Sequence, residues 1–166
     1  MDIIINYTTF KPKRATKGSV GFDLAIEGVT YSNGEKFAIG EAGSSGDGFV
    51  IPPGQRVMID NGIRVKFPPS LFGLLFLRSS MSKRGVIMAN SVGVIDSDYL
   101  GPIMIPVINI SSEEVVMDLG ERIGQLVFMQ NLCSSEGIEL TEVSASAFDS
   151  FSSERGAGGF GSTNNQ

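Results

Sequence analysis

The stretch RVMIDNGIRVKF (residues 56–67) limits the fold more than any other feature of the chain. Val57, Ile59, Ile63, Val65 and Phe67 fall on one face of an extended backbone, and Met58, Asp60, Arg64 and Lys66 fall on the other. A period of two marks a strand with one buried face. Asn61-Gly62 at its centre is a hairpin-type turn, so the pattern predicts a half-buried strand or a hairpin. Similar stretches follow. IMIPVINI (103–110) is almost continuously apolar, as in a strand covered on both faces, and Pro106 inside it predicts an edge or a bulge. EVVMDLGERIGQLVFMQ (114–130) reads as two strands turning at Leu119-Gly120-Glu121. IIINY near the start and IELTEV near the end are expected to pair at an edge. Turn signals recur at Pro52-Pro53-Gly54, Pro68-Pro69 and Gly101-Pro102. Many short strands at regular spacing imply an all-β sandwich or barrel, jelly-roll-like in form.

Helix signals are few. SSMSKRG (79–85) is expected to form one or two turns, capped by serine and stopped by Gly85. SASAFDSFSS (144–153) is a weaker helix pattern. Residues 28–48, rich in glycine and serine, predict a long surface loop or hairpin. Residues 150–166 are poor in apolar side chains and predict a mobile arm, leaving 1–149 as one β-barrel domain.

Composition narrows the chemistry. At 166 residues with 42% hydrophobic and 19% charged side chains, the chain suits one folded domain. It has no apolar run long enough to cross a bilayer and no secretory signal, so an intracellular, cytoplasmic protein is expected, with a nuclear or viral-host compartment left open. The net charge of −5 argues against a duplex-binding role, and KPKR (11–14) reads as a solvated turn. No nucleic-acid or membrane partner is expected. The chain contains no histidine, which removes the usual Ser-His-Asp and Cys-His systems and histidine zinc sites. Its single cysteine, Cys133, excludes an internal disulfide. A carboxylate base and a hard ion such as Mg²⁺ are what remains.

Five stretches could carry chemistry. In NSVGVIDSDYLGPI (90–103), strand-like residues run into Asp96-Ser97-Asp98 and return through Tyr99. This is either a polar turn or a hairpin that sets a carboxylate beside a ring able to pack on a sugar or base. In LRSSMSKRG (77–85), Arg78 with Ser79 and Ser80 before a helix start is either an anion site or an ordinary cap. GSVGFDL (18–24) places Asp23 between apolar neighbours, and GERIGQL (120–126) places Gln125 in a strand; each alone reads as structural. The end, ERGAGGFGSTNNQ, matches the letters G-x-G-x-x-G at Gly156, Gly158 and Gly161, with no chain left to build the helix a dinucleotide site needs. Arg155, Phe160, Ser162 and Thr163 supply a cation, a ring and two hydroxyls, the parts of a lid over a nucleoside phosphate.

In this order the stretches resemble the five motifs of the trimeric dUTPases. GSVGFDL is similar to the first, RSSMSKRGV to the second, NSVGVIDSDYLG to the third, GERIGQLVF to the fourth and RGAGGFGST to the fifth. Leu77 stands where the family commonly has proline and Val20 where it has alanine. The resemblance implies a jelly-roll homotrimer with active sites shared between subunits. It implies that Asp96 activates water against the α-phosphorus of dUTP, that Tyr99 packs on the deoxyribose, and that Asn90, Gly93, Val94, Ile95 and Met104 surround uracil. Arg78, Ser79, Ser80 and Gln125 would hold phosphates, joined by Arg155, Gly161, Ser162 and Thr163 from the arm, with Phe160 stacked on the base. Mg²⁺ would ride on the triphosphate, with Asp23 an indirect partner through water. A dCTP deaminase or bifunctional relative on the same fold, a nucleotide-sensing module without catalysis, and a sugar-binding jelly roll are the competing readings.

Overall fold

The computed structural model describes residues 3–38 and 48–153. Arg155, Phe160, Gly161, Ser162 and Thr163 lie outside the described residues, as does the middle of the 28–48 stretch.

Two sheets face each other. One orders its strands β10 (Gly93–Ile95), β8 (Leu71–Leu77), β13 (Arg122–Gln130) and β2 (Phe22–Ala25); the other orders β4 (Lys36–Ala38), β3 (Gly28–Tyr31), β6 (Arg56–Asp60), β11 (Met104–Asn109) and β9 (Val86–Met88). Two pairs complete the body: β1 (Ile4–Tyr7) with β7 (Ile63–Lys66), and β5 (Gly48–Ile51) with β12 (Val115–Asp118). All pairings are antiparallel. Among the described residues, helix is confined to single turns: α1 (Ser79–Ser82), α2 (Leu132–Ser135) and α3 (Ala145–Phe148). None of the helices among the described residues is long and apolar enough to cross a membrane.

The period-two residues build the core. Val57, Ile59, Ile63, Val65 and Phe67 are all buried, and cross-strand rows such as Val29–Ile59–Ile105 meet Leu24, Leu75 and Leu126 from the facing sheet. Burial of each such side chain contributes about 1.5–3 kcal/mol. Gly124 lets the facing sheet pack close, since an added Cβ would collide with the Ile105 side chain.

The alternation is as read, but several pairings are not. Residues 56–67 do not form a hairpin: β6 pairs with β3 and β11, whereas β7 pairs with β1. The chain turns a corner between them. Gly62 takes φ 63°, and buried Asn61 donates its amide to Ala25 O at 2.9 Å. Buried Glu27, which accepts from the Thr9 and Phe10 amides at 2.7 and 2.8 Å, fills the space a Gly62 Cβ would need. β12 and β13 likewise flank the Gly120 turn without pairing. β1 pairs with β7 rather than with residues 138–143, which are not strand. β10 pairs with β8 and β11 with β6 and β9, so the Asp96 turn joins two sheets instead of capping a hairpin. Pro106 lies in an internal strand. Its carbonyl accepts from Ala89 N, one residue past the end of β9, so its missing N–H faces a place where β9 has ended. The strand itself is neither an edge nor bulged, so the expectation of an edge or a bulge at Pro106 is corrected. β3 and β4 do form a hairpin within residues 28–48. The N-cap of α1 is Arg78, not a serine, whereas the weaker 144–153 pattern does form a helical turn, capped by Ser144.

Candidate active site

Sheet register creates a polar cleft on the outer face of the β8–β13–β2 region. Asp23 stands opposite Gln125, and Gln125 opposite Phe76, on the face turned away from Leu24, Leu75 and Leu126. Arg78 follows β8 directly. Its backbone N–H donates to Ile123 O at 2.7 Å and its Nη1 to Arg122 O at 3.1 Å, so both ends of the residue are tied to the start of β13. Its Nε stands 3.5 Å from Asp23 Oδ1. The cleft, of about 420 Å³, is lined by Asp23, Arg78, Ser79 and Gln125 together with residues of the 15–21 loop. Three of the five sequence motifs thus meet in one place. Ser80 is exposed beside Ser79 and does not line the cleft.

Asp23 carries the tension of this site. Its side chain is only 10% exposed, and Oδ2 has no hydrogen-bond partner. Arg122 Nη1, at 4.0 Å, is the nearest cation to that oxygen. A buried carboxylate with an unsatisfied oxygen is costly, and two flanking guanidiniums offset part of the penalty. Arg122 escaped the sequence reading. Its only signal was a cation next to the Gly120-Glu121 turn, which looks like any strand-start arginine.

Gly21 has a steric reason to be glycine. A Cβ there would stand 2.6 Å from Gln125 Oε1 and 3.2 Å from Gln125 Cβ. Gly21→Ala is expected to swing Gln125 out of the cleft and raise KM for a triphosphate substrate roughly tenfold, with little change in Tm. Steady-state kinetics beside a thermal melt would check it; an unchanged KM would show that Gln125 does not grip the substrate.

The other predicted residues lie elsewhere. Asp96 follows β10 at the opposite edge of the same sheet and is exposed. Continuing the β10–β8 register puts Asp96 opposite Phe72, six residues of extended chain from Arg78, or about 20 Å. Tyr99 is 43% exposed, and its hydroxyl donates to Pro102 O at 2.9 Å. Gly93 packs on Leu75, Val94 points outward, and Ile95 is half-buried. Met104 is half-buried on β11 opposite Asp60. Asn90 lines a separate cleft of about 380 Å³ with Tyr31, Arg56 and Pro106 among its walls. Burial pushes the Tyr31 phenol above its usual pKa, and the phenol donates a hydrogen bond to Val50 O at 2.9 Å, so it is a neutral donor at physiological pH. Within one chain, then, Asp23, Arg78, Ser79 and Gln125 converge, and Asp96, Tyr99 and Asn90 do not join them.

No three His, Cys, Asp or Glu side chains among the described residues come together as a metal site. Among the described residues, Asp23 Oδ2 is the buried carboxylate oxygen without a hydrogen-bond partner; Arg122 lies 4.0 Å from it, while Arg78 lies 3.5 Å from Oδ1. An oxygen donor such as Asp23 would suit a hard ion such as Mg²⁺.

Two packed sheets with an arginine-bearing cleft on an outer face define a β-sandwich subunit suited to taking up an anion. A sequence profile of the dUTPase family matches residues 44–164. The chain is 36% identical over 154 residues to the deoxyuridine 5'-triphosphate nucleotidohydrolase of Shewanella piezotolerans, covering 90% of this chain and 84% of that one. Its fold is similar to the crystal structure of the dUTPase from Streptococcus mutans, with a TM-score of 0.60, 29% identity, and coverage of 78% of this chain and 95% of that one. It is also similar in fold to a glycine-to-serine mutant of the dUTPase of Staphylococcus bacteriophage 80alpha with dUpNHpp, at a TM-score of 0.69, 20% identity and 98% coverage of both chains. The chain belongs to the dUTPase family.

Proposed function

We infer that the chain is a dUTP diphosphatase, converting dUTP and water to dUMP and pyrophosphate. One observation carries the reading: Asp23, Arg78, Ser79 and Gln125, from three separate sequence motifs, share a single cleft. A guanidinium, a hydroxyl and an amide there match a chain of phosphate oxygens in charge and hydrogen-bonding capacity.

The chemistry falls to the Asp96 turn. The carboxylate takes a proton from water as the water oxygen bonds to the α-phosphorus. The bond from that phosphorus to the bridging oxygen breaks, and pyrophosphate leaves with its electron pair. An ionised aspartate is a weak base, so orienting the water and neutralising the phosphates supply most of the acceleration. Tyr99 packs on the deoxyribose and leaves no room for a 2′-hydroxyl. Asn90, the backbone of Gly93, Val94 and Ile95, and Met104 surround uracil. Asp23 is the residue that would meet, through water, a Mg²⁺ ion carried on the triphosphate, and such an ion would supply charge screening of the phosphates. Ser80 joins Arg78, Ser79 and Gln125 on the phosphates.

The reading requires more than one copy of the chain. Asp96 and Arg78 stand about 20 Å apart along one sheet, beyond the reach of side chains that must meet at one phosphorus. A second copy brings the two halves together. An apolar outer face supports this: Phe72, Leu74, Phe76, Val94, Val127 and Met129 share the side of the sheet that carries Asp23 and Gln125. Val94 and Met129 are 61% and 45% exposed in the single chain. A homotrimer with shared sites covers that face. Residues 1–149 are the β-barrel domain, and residues 150–166 are an arm whose Arg155, Gly161, Ser162 and Thr163 close on the phosphates while Phe160 stacks on uracil. The last strand ends at Gln130, and α3 and the residues around it are exposed, as an arm leaving the body would be. A cytoplasmic setting fits this activity.

The test is pyrophosphate release across the deoxynucleoside triphosphates with Mg²⁺. Release from dUTP, at least about 10³-fold faster than from dTTP or dCTP, is expected, because thymine's methyl group and cytosine's reversed hydrogen-bond pattern both mismatch the pocket. Ammonia release from dCTP would instead identify a deaminase. Tight dUTP binding without pyrophosphate would identify a sensing module.

A further inference from the structure

Residues 96–102 carry the proposed base and the ring that packs on the sugar, yet they lie outside every strand. Two hydrogen bonds give the loop its shape. Tyr99 N–H donates to Asp96 O at 3.1 Å, and the Tyr99 hydroxyl donates to Pro102 O at 2.9 Å. Gly101 lets the ring lie close, because any Cβ there would collide with it. All of these contacts are internal. They fix the form of the loop but not its place on the body.

Among the described residues, one hydrogen bond ties 96–102 to another element. Arg64 on β7 donates its Nε–H to Leu100 O at 2.9 Å. β7 pairs only with β1, so this tie comes from outside both sheets that the loop connects. Arg64 is well placed for it. The neighbouring Ile63 carbonyl accepts from Ile103 N at 2.8 Å, which is where the loop rejoins the fold. The Arg64 stem shares a groove with Ile4, Lys66 and Leu100, and no ion pair competes for its guanidinium among the described residues.

We propose that Arg64 is a positioning residue for dUTP hydrolysis: by holding the Leu100 carbonyl, it sets where the Tyr99 ring and the Asp96 carboxylate stand. The proposal rests on the roles given to those two residues above. A charged donor on a carbonyl is a stronger tether than a neutral one, though exposure to water keeps its effect modest. Because Tyr99 excludes the 2′-hydroxyl, the tether acts on sugar selectivity as well as on rate.

The test compares Arg64→Met with Arg64→Gln. Methionine keeps an apolar stem in the groove and removes the donor. Glutamine keeps an N–H at the same distance along the side chain as Nε. Arg64→Met is expected to lower kcat on dUTP roughly three- to tenfold, and to narrow the dUTP-over-UTP preference in kcat/KM by a similar factor. It should also speed hydrogen exchange at the Tyr99 amide. Arg64→Gln should restore most of all three. A lower Tm with selectivity unchanged would reveal a merely structural arginine and overturn the proposal. So would a methionine variant with unaltered kcat, selectivity and exchange. If Arg64→Met does not fold, Arg64→Leu carries the same readouts. Wild-type protein that fails to hydrolyse dUTP would count against the functional reading instead, and exchange at the Tyr99 amide would then decide the tether on its own.

Discussion

Asp96→Asn is expected to bind dUTP as tightly as the wild type while kcat falls about 10³-fold, within the range seen when a general base is removed. The substitution is nearly isosteric and removes only the charge and the basic oxygen. The fold should tolerate it. Asp96 is exposed, and its carboxylate makes no ion pair among the described residues. The backbone bond from Tyr99 N to Asp96 O survives any side-chain change. The loss corresponds to about 4 kcal/mol of transition-state stabilisation. Calorimetry with a non-hydrolysable dUTP analogue would show whether binding is kept, and single-turnover kinetics would show whether the chemical step is lost. An Asp96→Asn enzyme with normal turnover would place the base elsewhere.

Removing residues 155–166 is expected to lower kcat/KM about 10²-fold or more and to leave Tm within a few degrees of the intact chain. On the proposed function the arm would supply a cation, two hydroxyls and a ring to the closed complex, and closure would keep bulk water from the phosphates. Among the described residues, the fully buried hydrophobic cluster lies between Leu24 and Leu126. Truncation should therefore spare folding and assembly. A collapse in thermal stability would make the arm a structural strap rather than a lid.

The local signals in the sequence were reliable because they report local physics. Alternation at Val57, Ile59, Ile63, Val65 and Phe67 says which side chains leave water, and all five do. It does not say which strand lies alongside. That choice belongs to the corner at Asn61-Gly62, where a buried amide reaches Ala25 and a buried glutamate fills the glycine's missing side chain. Neither partner can be read from the dipeptide, which by itself spells a hairpin. The site divides in the same way. Asp23, Arg78 and Gln125 are each unremarkable where they occur in the chain. Only the ordered motifs suggested their kinship, and the register of β2 with β13 supplies its physical basis. Arg122 and Arg64 had no such mark, since each acts through a contact with a residue far away in sequence, Asp23 and Leu100.

The separation of Asp96 from Arg78 along one sheet has an evolutionary consequence. Strand β8 is a rigid spacer between them, so no loop movement within a single polypeptide can close the gap. If, as proposed, a second copy supplies the other wall of each pocket, a mutation near one edge would alter a pocket shared with a sibling copy. Natural selection would then act on a community of chains: a cell making two alleles would assemble mixed rings, in which one defective allele spoils some pockets and two differently defective alleles repair others.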